Sequence, residues 1–218
     1  DYLRQFDALM DKIEQGALQK MILSRVKLAE TSIDPISIFE TLNTKYANTF
    51  NYVISNPEIG TWIGATPERL MSANRTTLET ASLAGTTTPD ADWTDKEREE
   101  QRLVTQTIVE RLTNSNCTDI ITNGPETIQA GKIEHLLTRI SAKMPAISSW
   151  SKLLSELHPT PAVCGLPRND ARTYIVELER YERKFYTGFI GVVNGENKDF
   201  FVNLRCMELY ENVAKLYV

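Results

Sequence analysis

Apolar residues open this chain at helical spacing. Leu3, Phe6, Leu9, Met10 and Ile13 share one face, which predicts a helix over 2–15 stopped by Gly16. The period then shortens. Residues 20–28 (KMILSRVKL) are β-rich and alternating and predict a strand, and 34–44 predict a second helix with Pro35 in its first turn. A strand pair is expected over 50–55 and 60–65, about an Asn56-Pro57 turn, and a second pair over 70–80 that turns at Ala73-Asn74.

A polar loop over 86–94 leads to a helix predicted over 96–112, capped by Thr94 or Asp95, with Leu103, Thr107, Val109 and Leu112 as its apolar contacts. A short strand is expected at 127–129, then a bend at Gly131-Lys132 from which 133–144 continues. Residues 149–157 and 169–183 read as helices. Residues 185–193, 200–208 and 213–218 read as strands, joined by turns at Asn194-Gly195 and Glu211-Asn212. Helices mixed with antiparallel-looking hairpins indicate α+β. Between two of the helices lies LHPTPAVCGLPR, residues 157–168. Pro159, Pro161 and Pro167 forbid a helix there and predict a rigid extended strap. It is either a buried crossing or a wall that holds Ala162, Val163, Cys164 and Gly165 against something close to the backbone.

Bulk composition narrows the function classes. A chain of 218 residues with 41% hydrophobic content can bury a sizeable core, as one large domain or two small ones. A formal charge of −5 argues against a nucleic-acid surface, which needs a basic stripe. There is neither an apolar run of membrane-spanning length nor a basic-then-apolar leader, so a cytoplasmic protein without membrane contact is expected. Cys117, Cys164 and Cys206 are widely spaced without a CxxC, as in buried thiols of a reducing compartment. The chain opens at Asp1 inside a predicted helix and closes on an apolar run, so both ends look cut.

Several residues could carry chemistry. Lys20 starts an apolar strand; it either snorkels to water or, desolvated, is a usable general base. Glu68, in ATPERL, is either a turn-starting carboxylate or an acid kept protonated by apolar surroundings. The small-residue run TASLAGT ends in Gly85 and Thr86, whose backbone N–H groups could cradle a carboxylate or phosphate. Glu97 and Glu100 share a helix face, where they either hold a hard cation or only favour the helix dipole. His135 and His158 are the only histidines and lack a partner at zinc spacing; His135 either meets a ligand or is a satisfied helix histidine. Arg205 lies in an expected strand, where an inward arginine needs a carboxylate partner.

The order of these pieces says more than any one of them. KMILSR, TPERL, LAGT, KEREEQ, EHLLT, LHPTPAVCGLP, ELERYERKFYTGFIG and NLRC succeed one another over 20–218. That succession resembles the chorismate-utilising enzymes, and among them isochorismate synthases most. Anthranilate-type members carry a GTLSGAPK-like run where TPAVCGLP stands here. Salicylate-forming members have a threonine at the position of Ala162, and aminodeoxychorismate synthases a lysine at that of Ala84. The resemblance implies the anthranilate synthase component I-like fold, antiparallel sheets forming a sandwich with helices outside, as one domain over 1–218. It implies Mg²⁺-dependent isomerisation of chorismate: Lys20 activates water for attack at C2, and Glu68 protonates the hydroxyl leaving C4. Glu100 is implied as a metal ligand with Glu97 adjacent. Gly85, Thr86 and His135 line the ring-carboxylate pocket, Arg205 clamps the enolpyruvyl carboxylate, Tyr186 packs beside it, and Ala162 selects water chemistry over pyruvate loss. The same site serves isochorismate destined for menaquinone, a siderophore or salicylate.

The chain also departs from the family pattern. The loop after LAGT is short, Glu100-Gln101 stands for a usual EH pair, and Arg183-Lys184 for RG. The family continues past the last strand into a helix bearing a second metal glutamate and a lysine, and it has an N-terminal portion before the first. The chain as given is therefore expected to be truncated at both ends, to turn over little, and to be a monomer or to self-associate weakly. The alternatives are a salicylate- or anthranilate-type enzyme and an inactive chorismate-fold fragment.

Overall fold

A computed structural model describes residues 2–130, 133–145 and 150–218. In chain order it comprises α1 (Tyr2–Glu14), β1 (Lys20–Met21), β2 (Val26–Glu30), α2 (Pro35–Lys45), β3 (Phe50–Asn56) and β4 (Gly60–Thr66). Then come β5 (Arg69–Ala73), β6 (Thr77–Thr87), α3 (Asp95–Asn114), β7 (Thr118–Ala130) and β8 (Ile133–Lys143). The last elements are α4 (Trp150–Leu157), β9 (Gly165–Leu166), α5 (Arg168–Leu178), β10 (Phe189–Asn194), β11 (Asn197–Val202), β12 (Cys206–Leu209) and β13 (Val213–Tyr217). The expected bend at Gly131-Lys132 and the start of the helix at Ser149 lie outside the described residues. The α+β class and the antiparallel pairing are as the sequence predicts.

The chain forms two compact units, each from separate stretches of sequence. The first comprises Asp1–Glu68, Cys164–Ile190 and Phe201–Val218. It contains a five-stranded sheet, ordered β2-β13-β12-β4-β3, and a two-stranded sheet of β1 and β9. One core gathers Leu9, Leu18, Met21, Cys164, Ala171 and Ile175 from α1, β1 and α5. A second is aromatic, with Tyr52, Trp62, Tyr186 and Tyr217 around Cys206. The second unit comprises Arg69–Val163 and Gly191–Phe200. It is built on a six-stranded sheet, β10-β11-β5-β6-β8-β7, on which α3 packs through Val104, Ile108 and Leu112.

Local chemistry sets the helix starts. Asp34 accepts a 3.0 Å bond from the Ser37 N–H and Pro35 occupies the first turn of α2, while Thr94 and Glu97 form a reciprocal capping box on α3. The strands depart further from expectation. The strand predicted over 20–28 is broken: β1 pairs with β9 and β2 with β13, so one apolar run serves two sheets. The run 200–208 breaks likewise at 203–205, leaving β11 in the six-stranded sheet and β12 in the other. The short strand expected at 127–129 is part of a strand that begins at Thr118. The helix expected to reach 183 ends at Leu178, where Glu179 turns to extended backbone. On α3 the buried face carries Gln101, Val104, Ile108 and Leu112, so Leu103, Thr107 and Val109 lie one residue to the side of the contact.

The strap is buried and only partly extended. Val163 donates to the Thr160 carbonyl at 3.2 Å in a turn, and Gly165 and Leu166 then pair with Met21 and Lys20. Among the described residues no helix is long and apolar enough to cross a membrane. All three cysteines are buried and unbridged.

Candidate functional site

The first unit brings Lys20 and Glu68 together. Lys20 lies on β1 opposite Leu166, and Glu68 follows β4 beyond the exposed Pro67. The backbone at Glu68 is pinned, because its carbonyl accepts from the Val202 N–H at 2.9 Å. Two residues earlier the wholly buried Thr66 donates its hydroxyl to the Val202 carbonyl at 2.5 Å. Burial pushes the Glu68 carboxyl up to about 7, against the opposing pull of the Lys20 charge. A carboxylic acid that keeps its proton near neutrality, with an amine in electrostatic reach, has the chemistry that an acid–base pair needs. A turn-starting carboxylate would instead be solvated and ionised.

Arg205 is not in a strand, contrary to expectation. It sits between β11 and β12 with φ 49°, exposed, and its carbonyl accepts from the Ala65 N–H at 3.1 Å. Its backbone therefore abuts the segment that leads to Glu68, and its guanidinium faces solvent rather than a buried carboxylate. Tyr186 is buried in the aromatic core, stacked on Tyr217 at 4.9 Å with the Arg183 guanidinium 5.8 Å from its ring centroid. Burial pushes its hydroxyl up to about 12. Asn203, the first residue of the NLRC motif, shapes this corner. Buried, it receives the Tyr52 hydroxyl at 2.5 Å and donates to the Phe185 carbonyl at 2.8 Å.

The second unit brings together Gly85, Thr86, His135 and the head of α3. The β6–β8 register shifts between Ala84 and Thr86, which makes Gly85 a bulge residue at φ +74°. A Cβ there would stand 3.0 Å from the Glu97 carbonyl oxygen, so the strand closes onto the first turn of α3. Gly85→Ala is expected to cost about 1–2 kcal/mol of unfolding free energy, read from urea denaturation. His135 lies on β8, a strand and not a helix, opposite Thr86. Its Nδ1 is 3.2 Å from the Gly85 carbonyl and 3.1 Å from Thr86 Oγ1. A carbonyl only accepts, so that contact puts a proton on Nδ1 and leaves Nε2 of the neutral ring as an acceptor.

Glu97 and Glu100 occupy the first turns of α3, both half-buried. The Glu97 carboxylate accepts from the Thr94 hydroxyl and from its N–H, which holds it below the usual carboxylate range. Among the described residues no group of three His, Cys, Asp or Glu side chains is arranged to hold a metal. Residue 101 is the glutamine that stands where the family pattern has the His of an EH pair. It is buried, and its amide nitrogen donates to Ser82 Oγ and Thr138 Oγ1, each at 2.9 Å, clamping α3 to β6 and β8 beside Glu100. Ala162 is half-buried in the turn of the strap. Arg111, which no sequence motif marks, ties the strap's start to α3 through the Leu157 and Pro159 carbonyls at 3.0 Å each.

A family model described as chorismate binding enzyme matches residues 1–218. The isochorismate synthase MenF of Pasteurella multocida is 30% identical over 235 aligned positions, covering 100% of this chain and 54% of that protein. Among solved structures, a protein described as a 2,3-dihydroxybenzoate-specific isochorismate synthase, DhbC of Bacillus anthracis, superposes with TM-score 0.90 at 27% identity, over 99% of this chain and 63% of that one. Anthranilate synthase component I of Streptococcus pneumoniae shares the fold, with TM-score 0.86 at 21% identity over 98% of this chain and 50% of that one. The chain spans about half the length of curated relatives it matches, 54% of the Pasteurella protein and 55% of the isochorismate synthase EntC of Escherichia coli. With eight ordered motifs, the matching fold and a family model that runs from end to end, the chain belongs to the chorismate binding enzyme family.

Proposed function

We propose that this chain carries isochorismate synthase chemistry, the conversion of chorismate to its 2-hydroxy isomer. The observation that carries the reading is the Lys20–Glu68 pair, in which burial holds the carboxyl up to about 7. Lys20, in its free-amine form, takes a proton from water as the water oxygen bonds to C2. The ring double bonds shift, the C4–O bond breaks, and Glu68 gives its proton to the departing hydroxyl. One water enters and one leaves, so substrate and product are isomers. Ala84 supports water as the nucleophile, since it supplies no amine, and Ala162 supports isochorismate as the end product, since it lacks the hydroxyl of the threonine that salicylate-forming members carry.

The remaining roles follow the same reading. Arg205, exposed and next to the Glu68 segment, would hold the enolpyruvyl carboxylate, with Tyr186 stiffening that corner. Gly85 and Thr86 would receive the ring carboxylate at the bulge with His135 lining that pocket; a carboxylate contact at Nε2 would need the imidazolium, in which both ring nitrogens donate. Mg²⁺ is the proposed cation, and the donors fit it in kind, since Glu100 and Glu97 offer hard carboxylate oxygens. Two carboxylates are too few for a full coordination shell, so substrate oxygens and water would complete it, and Glu97 would have to release Thr94. When bound, the ion would neutralise the ring carboxylate and favour charge at the breaking C4–O bond.

The test is incubation of the protein with chorismate and Mg²⁺ and chromatographic analysis of the products. Isochorismate as the main product is expected. Anthranilate, salicylate or pyruvate as the main product, or none at all, would overturn the reading. Ala162→Thr is expected to add salicylate and pyruvate to the product mixture.

A further inference from the structure

A strand of two residues has little hold on its own register, and a one-residue slip turns every side chain to the opposite face. For β1 a slip would exchange half-buried Lys20 with Met21, which is 6% exposed in the core. The pairing is prolonged by one backbone bond at each end, Gln19 N–H to the Leu166 carbonyl at 2.8 Å and Ile22 N–H to the Cys164 carbonyl at 2.9 Å, and beyond Ile22 the chain joins no sheet until Val26. An ion pair occupies the gap. Arg183 grips Glu179 twice, Nε to Oε2 at 2.7 Å and a terminal nitrogen to Oε1 at 2.5 Å. The carboxylate also receives the Ser24 N–H at 2.7 Å and the Ser24 hydroxyl at 2.9 Å. The same Arg183 terminal nitrogen donates to the Ile22 carbonyl at 2.7 Å, and the Tyr181 hydroxyl lies 2.6 Å from Ser24 Oγ. Side-chain exposure is 13% for Arg183 and 1% for Glu179. Burying such a pair costs desolvation that its mutual attraction seldom repays, so its use lies in fixing geometry.

We propose that the Glu179–Arg183 pair is the positioning device for Lys20: by holding residues 22–24 it sets the register that turns the Lys20 ammonium toward Glu68. The inference rests on reading Lys20 and Glu68 as the acid–base pair, and neither Glu179 nor Arg183 touches substrate in it. The charge acting on Glu68 is that of Lys20. Glu179 is faced by Arg183 and, through Ser24, by the Tyr181 hydroxyl. Loss of the clamp should therefore be felt at Glu68 as a weaker positive field, and its carboxyl should titrate at higher pH.

The experiment is a carboxyl ¹³C NMR titration of Glu68 in the protein without substrate, for wild type, Lys20→Met, Arg183→Lys, Glu179→Gln and Ser24→Ala. Lys20→Met is expected to raise the midpoint by about one unit. Arg183→Lys and Glu179→Gln should each reproduce at least about half of that rise, and neither should add to it in the Lys20→Met background. A purely structural role would lower thermal stability and leave the midpoint in place. Folded Arg183→Lys and Glu179→Gln proteins with the wild-type midpoint would overturn the proposal, as would a Lys20→Met protein with no shift. Should both clamp variants fail to fold, Ser24→Ala decides: a partial rise is expected and its absence overturns. Absence of chorismate turnover by wild type would overturn the functional reading alone, because the titration needs no substrate.

Discussion

Glu68→Gln is expected to slow chorismate turnover by about a hundredfold or more, the usual contribution of a positioned general acid. An amide of the same shape keeps the packing and has no proton to give. In wild type the rate should fall as pH rises through about 7, where Glu68 loses its proton. The residual rate of the variant should lack that limb. Stability gives an independent readout. The folded carboxyl titrates near 7 against an ordinary value of 4.5, so the fold prefers the protonated form. Its stabilising contribution is complete below the lower value and is lost as pH rises through the higher one. Glutamine mimics the protonated acid at every pH, so the variant should gain stability relative to wild type between about pH 5 and about pH 8. A pH–rate profile and urea melts at both pH values check the two halves. A full rate in the variant at neutral pH would remove Glu68 from the chemistry.

The second large effect is expected at Gly165. A Cβ there would lie 2.2 Å from the Lys20 carbonyl oxygen, 2.8 Å from the Ala171 Cβ and 2.9 Å from the Met21 Cα, with φ at +151°. Two of those three atoms are backbone and cannot swing aside. Gly165→Ala should therefore cost about 3 kcal/mol or more, through clash and backbone strain together. The strand that must move bears Lys20, so any protein that still folds should also lose turnover. Thermal unfolding and the chorismate assay on one preparation test both. A stable, active Gly165→Ala protein would show that β1 and β9 do not pair as described.

Much of the fold is legible in the sequence where the cause is local. Asp34 before a proline and Thr94 three residues ahead of Glu97 announce their helices, because capping needs only near neighbours. Residues 20–28 and 200–208 mislead because their apolar pattern is unbroken. What splits them is a change of sheet partner, which is tertiary information. The strand from Thr118 was hidden by Gly124-Pro125, normally a turn signal, which a register shift between Asn123 and Glu126 absorbs. The apolar residues of α3 do not reveal its buried face, because that face includes a glutamine, Gln101, which only the hydroxyls of Ser82 and Thr138 make a core residue.

The candidate site divides along the same line. Lys20, Glu68, Gly85, Thr86 and the two α3 glutamates are legible as types at positions in an ordered set of motifs. Of the side chains that hold them, Arg111 lies outside every motif, while Gln101, Glu179, Arg183 and Asn203 stand inside KEREEQ, ELERYERKFYTGFIG and NLRC without any sign of what they bind. Each acts on a backbone group or side chain far away in sequence, as Arg183 does on Ile22 and Asn203 on Tyr52. Arg205 was placed in a strand because Leu204 and Cys206 flank it, whereas its left-handed backbone is decided by the break between two sheets.

The bulge at Gly85 works as a frame change in the strand. Before it, Leu78, Thr80, Ser82 and Ala84 face inward at every second position; after it, Thr86 is turned outward. Were the bulge ironed out with Gly85 kept, Thr86 would take the inward position that alternation gives it and leave its place opposite His135; deleting Gly85 instead keeps Thr86 outward but removes the residue that closes onto Glu97. The bulge and its glycine should therefore travel together, and a graft of this strand between relatives should succeed only when both are carried or both are absent.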